Sequence, residues 1–167
     1  LPEADDAPVH AGIRPEASSA EAISPRPRSV LDIDDNVDAA QTLAGLLRSY
    51  GYEVRLAHSA PAGLQAAAAW RPEAILCDVG LPGMDGYAFA RRVRAEPAFG
   101  EVALFAVTGY ATSRDQQRAE EAGFDGHIAK PARLAQLREA FGAWERRRAA
   151  PARPRPRSEA ESRETGL

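Results

Sequence analysis

Residues 74–86 read Ala74-Ile-Leu-Cys-Asp-Val-Gly-Leu-Pro-Gly-Met-Asp-Gly86, and this stretch decides the fold. It opens with four apolar residues in a row, which is typical of a strand that is buried on both faces. Asp78 follows, and a loop rich in glycine and proline leads to Gly86, where a helical pattern of apolar residues begins. A buried strand, an acid at its end and a helix after a tight loop predict one strand–helix unit of a parallel sheet.

The same alternation of strand and helix continues on both sides of this unit. The apolar runs predict strands at residues 29–33, 53–57, 74–77, 102–107 and 126–129. Apolar residues at helical spacing predict helices at residues 37–50, 60–70, 86–95, 113–122 and 133–144. Strands that alternate with helices form parallel sheets through right-handed crossovers. The sequence therefore predicts an α/β domain, a doubly wound (βα)5 sheet with helices on both faces.

The two ends of the chain differ in composition from the part between them. Five of the 13 prolines lie in residues 1–28 and three lie in residues 151–156. Both ends are rich in Ala, Glu, Ser and Arg, and such segments bury too little apolar surface to offset the entropy of ordering. We predict a disordered linker at 1–28, a folded domain at 29–147 and a disordered Arg/Pro-rich tail at 148–167.

Composition excludes several classes of function. The net charge of -3 gives no whole-chain case for nucleic-acid binding. Cys77 is the only cysteine, which rules out an internal disulfide and a cysteine metal cluster. No apolar run approaches the ~18 residues that a membrane helix needs, and the first 20 residues do not form a signal peptide. The sequence predicts a cytoplasmic domain that contacts neither nucleic acid nor membrane.

Polar side chains follow four of the five predicted strands. Asp34 and Asp35 come after the first strand, Asp78 after the third, Thr108 after the fourth and Lys130 after the fifth. Because the carboxyl ends of parallel strands meet at one edge, we expect these groups to converge. Three carboxylates repel one another unless a cation lies among them, and oxygen ligands favour Mg²⁺ or Mn²⁺. An Asp carboxylate beside a divalent cation and an ammonium group is suited to phosphoryl transfer.

Lys130 is the only lysine in a chain with 20 arginines. A compact ammonium in a chain that otherwise uses guanidinium groups indicates a position where a guanidinium cannot replace it. Pro131 follows, so the peptide bond between them can be cis, which would turn the chain and aim the lysine side chain.

Four motifs, in this order and at these intervals, resemble the receiver domain of two-component response regulators. They are residues 30–36 (VLDIDDN), 76–86 (LCDVGLPGMDG), 107–109 (VTG), and 122–125 (AGFD) leading to Lys130-Pro131. The resemblance spans residues 29–145 and implies a flavodoxin-like fold with strand order 2-1-3-4-5. The loop from Leu81 to Gly86 most resembles receivers attached to hybrid histidine kinases.

The resemblance also implies the chemistry of the acidic site. Asp78 would be the phosphoacceptor, and Lys130 would pair with a phosphoryl oxygen. The implied ligands of Mg²⁺ (or Mn²⁺) are Asp34 (through water), Asp35, Asp78 and the main-chain carbonyl of Gly80.

The same resemblance implies a conformational switch. Thr108 would hydrogen-bond a phosphoryl oxygen and shift on phosphorylation, and Gly109 would leave room for the phosphoryl group. His127 occupies a position that is often Tyr or Phe in the family and rotates inward on activation, so Thr108 and His127 form the expected switch pair. Pro82 and Gly86 would shape the loop after Asp78.

Asp32 is a departure from the family pattern. It lies in the middle of the first predicted strand, where Val, Ile or Leu is usual. An ionised buried carboxylate is costly unless it is paired. We therefore expect either a raised pKa for Asp32 or a distorted first strand.

The function that the resemblance implies is a phosphoacceptor that catalyses only its own phosphorylation and dephosphorylation. Its partner would be a histidine kinase or a phosphotransfer domain, and the chain would be the receiver part of a hybrid histidine kinase. Dimers could form through the last strand and its two flanking helices. A stand-alone single-domain regulator and a phosphorylation-independent binding module remain alternatives. A remote one is a haloacid-dehalogenase-like phosphatase, whose Asp-x-Asp motif fits Asp32 and Asp34.

Overall fold

Five strands alternate with five helices in the computed structural model, which describes residues 27–109 and 112–149. The strands are β1 (Ser29–Ile33), β2 (Glu53–Ala57), β3 (Ala74–Asp78), β4 (Ala103–Thr108) and β5 (Gly126–Ala129). The helices are α1 (Val37–Ser49), α2 (Ala60–Trp70), α3 (Gly86–Ala95), α4 (Ser113–Ala122) and α5 (Leu134–Ala149), with a 3₁₀ turn at Pro97–Phe99. The alternation that the sequence predicts is confirmed.

All five strands are parallel, and their order across the sheet is β2-β1-β3-β4-β5. This confirms the expected order and places β2 at one edge. β3 and β4 each run one residue further than predicted, because Asp78 pairs with Val107 and Thr108 pairs with Ala129. The two polar residues thus end their strands instead of following them, and the sheet fixes their backbones.

Two apolar layers cover the sheet, one on each face. Leu31, Ile75 and Phe89 belong to the layer beneath α2, α3 and α4, and Leu76 and Phe105 to the layer beneath α1 and α5. All six residues of β4 are buried, as expected for a strand that is covered on both sides. Burial of each large side chain contributes roughly 1.5–3 kcal/mol, so the two layers hold the strand ends in place.

Side-chain caps begin four of the helices at the carboxyl edge of the sheet. Asn36, Ser59, Asp85 and Thr112 each accept a hydrogen bond from the backbone N–H three residues later, at 2.8–3.2 Å. Such caps satisfy backbone donors that a helix start leaves without partners. They also fix the residues at which these four helices begin, close to the carboxyl ends of the strands.

The boundaries of the domain extend slightly beyond the predicted elements. Pro27 is buried, and the N–H of Glu53 donates to the carbonyl of Arg28 at 2.9 Å. α5 begins at Leu134 and continues past Trp144, where the predicted helix ended, to Ala149. Apart from residues 27–28 and 148–149, the segments predicted to be disordered lie outside the described residues. Among residues 27–109 and 112–149, no helix is long and apolar enough to span a membrane.

Candidate functional site

Three carboxylates converge at the carboxyl edge of the sheet. Oxygen atoms of Asp34, Asp35 and Asp78 lie within 4.8 Å of one another. Asp34 and Asp78 are buried, whereas Asp35 is exposed. β1 delivers the first two acids and β3 the third, and the two strands are neighbours in the sheet. The site therefore follows from strand order, and it combines buried carboxylates with one that faces solvent.

Lys130 supplies the cation of this site. Its Nζ lies 2.8 Å from Oδ2 of Asp78 and 3.7 Å from Oδ2 of Asp34. The Lys130–Pro131 peptide bond is cis. Burial lowers the pKa of Lys130, but the hydrogen bond and charge of Asp78 and the charge of Asp34 outweigh it and raise that pKa above its ordinary value. Lys130 is thus an ammonium group that contacts Asp78 directly.

The loop after Asp78 folds back on that residue. The N–H of Gly80 donates to Oδ1 of Asp78 at 2.9 Å, so both carboxylate oxygens of Asp78 accept a hydrogen bond. A Cβ at Gly86 would lie 2.6 Å from Cα of Val79 and 2.7 Å from the carbonyl oxygen of Asp78. Only glycine fits this approach. Gly86 therefore shapes the loop, as the resemblance to receivers implies.

Asp34 is held by its own turn and by a residue that sequence reasoning missed. The N–H of Asn36 donates to Oδ1 of Asp34 at 2.9 Å. His58 donates from Nδ1 to the carbonyl of Asp34, also at 2.9 Å, since a carbonyl oxygen only accepts. Burial raises the pKa of Asp34, while the Asn36 N–H and Lys130 lower it. His58 directly follows β2, the neighbour of β1, and that adjacency was the available signal.

Asp32 lies in the core beneath the site. It is 3% exposed, with Leu56 and Leu76 beside it on the neighbouring strands. Within the described part of the chain, its Oδ2 has no hydrogen-bond partner. Burial, followed by the charge of Asp34, raises the pKa of Asp32 to about 7. β1 pairs along its whole length, so Asp32 is accommodated by a raised pKa and not by a distorted strand.

The two expected switch residues lie on adjacent strands. Thr108 is buried at the end of β4, and its carbonyl accepts a hydrogen bond from the N–H of Lys130 at 2.8 Å. His127 is exposed on β5, with its Nε2 3.1 Å from Nε2 of Gln116. A small crevice lies between Thr108 and His127, and the side chain of Tyr87 contributes to its wall. Tyr87 was not singled out from the sequence, because it fits the apolar face of α3.

Gly109 leaves the space above Thr108 open. It is exposed, and a Cβ built at this position would meet no atom within 4 Å. The space that the resemblance implies for a phosphoryl group at Gly109 stays a prediction.

Comparison with known proteins agrees with this geometry. The family described as the response regulator receiver domain matches residues 30–142. The chain belongs to this family. Its expected fold and its resemblance to receivers are thereby confirmed, and it is a receiver domain of two-component signalling.

Curated relatives include receivers in both architectures. The receiver is 36% identical over 110 residues to the sensor histidine kinase CheAY of Helicobacter pylori, covering 65% of this chain but 14% of that kinase. It is 28% identical over 105 residues to the response regulator DivK of Brucella anthropi, covering 63% of this chain and 85% of DivK. The chain thus spans a small part of a hybrid relative and most of a short one.

A solved structure adds an observation on metal binding in the family. The receiver domain of the sensor histidine kinase PA1611 from Pseudomonas aeruginosa is 31% identical, with a TM-score of 0.64. The match covers 71% of this chain and 98% of that domain, whose active-site cleft holds a coordinated magnesium ion. The magnesium ion belongs to that protein, and it shows what a similar acidic cluster can bind.

Proposed function

We propose that this receiver accepts a phosphoryl group from a phosphohistidine onto Asp78. The observation that carries the proposal is the position of the Asp78 carboxylate, held by Lys130 on one oxygen and by the Gly80 N–H on the other. Asp34 and Asp35 lie beside it within 4.8 Å. A nucleophile between a fixed ammonium and an acidic pair has the charge arrangement that phosphoryl transfer requires.

The donor set fits Mg²⁺. It consists of the carboxylate oxygens of three aspartates, which hard cations prefer, and no cysteine or histidine side chain of the described residues belongs to this cluster. We propose Asp34, through water, together with Asp35, Asp78 and the Gly80 carbonyl as the ligands. When bound, the ion neutralises charge on the carboxylates and on the phosphoryl oxygens.

In the proposed transfer, a carboxylate oxygen of Asp78 attacks the phosphorus of the phosphohistidine. A bond forms between that oxygen and phosphorus as the bond between phosphorus and the imidazole nitrogen breaks. The nitrogen keeps the electron pair and the imidazole takes up a proton from water, so the donor leaves as a neutral histidine and the receiver carries an aspartyl phosphate. Lys130 remains protonated and moves its hydrogen bond from Asp78 to a phosphoryl oxygen.

The proposed response passes through Thr108 and His127. A hydrogen bond from the Thr108 hydroxyl to the phosphoryl group would draw this side chain toward Asp78. That movement would open the crevice beside Tyr87, and the imidazole of His127 would turn into it. Two states with different contacts to the phosphoryl group then differ in the surface of β5 and α4.

The architecture we propose is the receiver part of a hybrid histidine kinase that acts in the cytoplasm. The folded domain would span residues 29–147, and partners would be a histidine kinase or a phosphotransfer domain. Relatives of both types keep the stand-alone regulator as the second candidate. Asp32 is mid-strand and buried, which argues against the phosphatase alternative, since that reaction needs it as an accessible nucleophile.

Intact mass after incubation with acetyl phosphate tests the chemistry. We expect one phosphoryl adduct with Mg²⁺, little without it, and none in Asp78→Asn. Asp38→Asn, an exposed acid on the first turn of α1, is the matched control and should phosphorylate normally. Folded wild-type protein that forms no adduct would contradict the proposal and favour the phosphorylation-independent binding module.

A further inference from the structure

A groove lies at the amino-terminal edge of the sheet, opposite the acidic site. Its volume is about 970 Å³, and its walls are the turn between α1 and β2 and one side of α5. Pro27 and Arg28, the first described residues of the chain, line it. The segment that leads into β1 therefore passes along this groove.

The surface of the groove is aromatic, and its rim carries charges of both signs. Tyr52 packs on Phe141 with their ring centroids 5.9 Å apart, and Tyr50 is 53% exposed. The charged residues of the lining are Glu53, Glu73, Glu145, Arg28 and Arg138, and the guanidinium of Arg138 lies 5.0 Å from the centre of the Tyr50 ring. Aromatic surfaces flanked by acids bind extended segments that contain proline and arginine.

The backbone before β1 is directed into the groove. The N–H of Glu53 donates to the carbonyl of Arg28 at 2.9 Å, which continues the pairing of β1 and β2 by one residue. Pro27, the next residue toward the amino terminus, is buried. Pro27 therefore fixes the point at which the preceding chain meets this surface.

We propose that residues 22–26, Ala22-Ile-Ser-Pro-Arg26, bind in this groove and form a strap between the turn at Tyr50–Tyr52 and α5. Ile23 supplies an apolar side chain for the aromatic surface, and Arg26 supplies a cation for the glutamates of the rim. Ser24 and Arg26 both precede proline, which restricts them to extended conformations. Little conformational entropy is therefore lost when the strap binds.

The strap gives the receiver a fixed exit direction. Any chain that precedes residue 22 would leave from the amino-terminal edge, whereas Asp78 lies at the carboxyl edge. A preceding segment could then be held in a defined orientation without covering the phosphoacceptor.

The carboxyl-terminal tail is the competing occupant. Residues 154–157 repeat the Pro-Arg-Pro-Arg sequence of residues 25–28, and they follow α5, which lines the same groove. The structure favours residues 22–26, because Pro27, the residue directly after them, is already buried there.

NMR spectroscopy of the full chain tests the strap. We expect nuclear Overhauser contacts between the methyl groups of Ile23 and the ring of Tyr50 or Tyr52. The heteronuclear NOE of the amides of Ile23, Ser24 and Arg26 should approach that of β1 and exceed that of residues 3–6.

Two full-chain variants provide the contrast. Tyr50→Ala removes an exposed ring and should lower the heteronuclear NOE of residues 22–26 to the level of residues 3–6. Leu46→Ala, 37% exposed on the helix that Tyr50 follows and outside the groove, should leave it unchanged. Equal NOE values for residues 22–26 and 3–6 in the wild type would overturn the proposal, and so would contacts of residues 153–157 with Tyr50 or Tyr52 in place of those from Ile23.

Discussion

The two edges of the sheet each hold an aspartate 2.8 Å from a cationic side chain, but the two pairs differ in the charge of the groups around them. At the amino-terminal edge, Arg94 donates to Asp125 and to the carbonyls of Gly123 and Val102. Oδ2 of Asp125 also accepts from the N–H of Leu104 at 2.9 Å. One cation meets one carboxylate, and the remaining donors of Arg94 bond to neutral carbonyls.

At the carboxyl edge, one ammonium faces an excess of acid. Lys130 contacts Asp78 and Asp34, with Asp35 beside them and Asp32 buried below. The pKa of Asp32 and of Asp34 is raised, mainly by burial and also by neighbouring carboxylates. At the amino-terminal edge, the charges of Arg94 and Asp125 balance, and their hydrogen bonds stabilise the fold. The carboxyl edge is unbalanced and is suited to receive a cation and a phosphoryl group.

The largest expected effect on stability comes from Asp32→Val. The variant removes a buried carboxyl group and restores an apolar side chain between Leu56 and Leu76. Above pH 7, folding must hold Asp32 ionised against a pKa raised from 3.8 to about 7, which costs about 4 kcal/mol. We expect urea denaturation at pH 8 in EDTA to show a gain of about that size in the free energy of unfolding.

The pH dependence of this gain has a definite sign. A group whose pKa is higher in the folded state binds its proton more tightly there, so its contribution to stability falls as pH rises from about 4 to about 7. The advantage of Asp32→Val should therefore be smallest near pH 4 and level off above pH 7. Asp32→Asn should share the pH profile but gain less, since a buried amide lacks partners. A pH-independent difference would contradict the raised pKa.

Arg94→Ala should have the next largest effect and the opposite sign. It removes three hydrogen bonds that join α3 to the starts of β4 and β5, so we expect a loss of roughly 2–3 kcal/mol. Thermal and urea unfolding measure it. Arg92→Ala, an exposed arginine on the same helix, is the matched control and should change stability by under about 0.5 kcal/mol. Acetyl phosphate should still phosphorylate folded Arg94→Ala protein. Loss of phosphorylation would contradict the view that the amino-terminal edge stabilises the fold while the carboxyl edge carries the chemistry.

Sequence reasoning reached the fold and the acidic site because both follow from short-range signals. Apolar runs of strand length and helix caps are signals that a short stretch of sequence contains. Asp78 lies near Asp34 because the carboxyl ends of parallel strands meet at one edge of the sheet. The contact of His58 with Asp34 depends on which strands are neighbours, and the place of Tyr87 beside Thr108 depends on how α3 packs. The Arg94 cluster joins residues up to 31 positions apart, and the motif at residues 122–125 does not show that Arg94 lies beside it.

Mg²⁺ should stabilise the carboxyl edge by a smaller amount. A ligand that binds only the folded state adds about 1.4 kcal/mol at ten times its Kd. We expect the unfolding temperature to rise with Mg²⁺ and to fall back on addition of EDTA. Asp35→Asn should reduce the rise, because Asp35 is the exposed carboxylate of the cluster, whereas Asp38→Asn should keep it. An equal rise in wild type and Asp35→Asn would show that the ion binds elsewhere.

Lys130→Met should have a small effect on stability but a large effect on phosphorylation. Lys130 lies 2.8 Å from Asp78, as Arg94 lies from Asp125, but Lys130 donates only to Asp78 among the described residues, whereas Arg94 also donates to two backbone carbonyls. The Lys130 side chain is 36% exposed, so water screens its charge. Methionine keeps the apolar part of the chain, so we expect a change in unfolding free energy of less than about 1 kcal/mol in Mg²⁺. Phosphorylation from acetyl phosphate should nonetheless fall at least tenfold, because no ammonium remains to meet the phosphoryl oxygen. If Lys130→Met were phosphorylated normally but lost as much stability as Arg94→Ala, the Lys130–Asp78 pair would stabilise the fold, as the Arg94–Asp125 pair does. The imbalance of charge at the carboxyl edge would then be a feature of the fold and not of its chemistry.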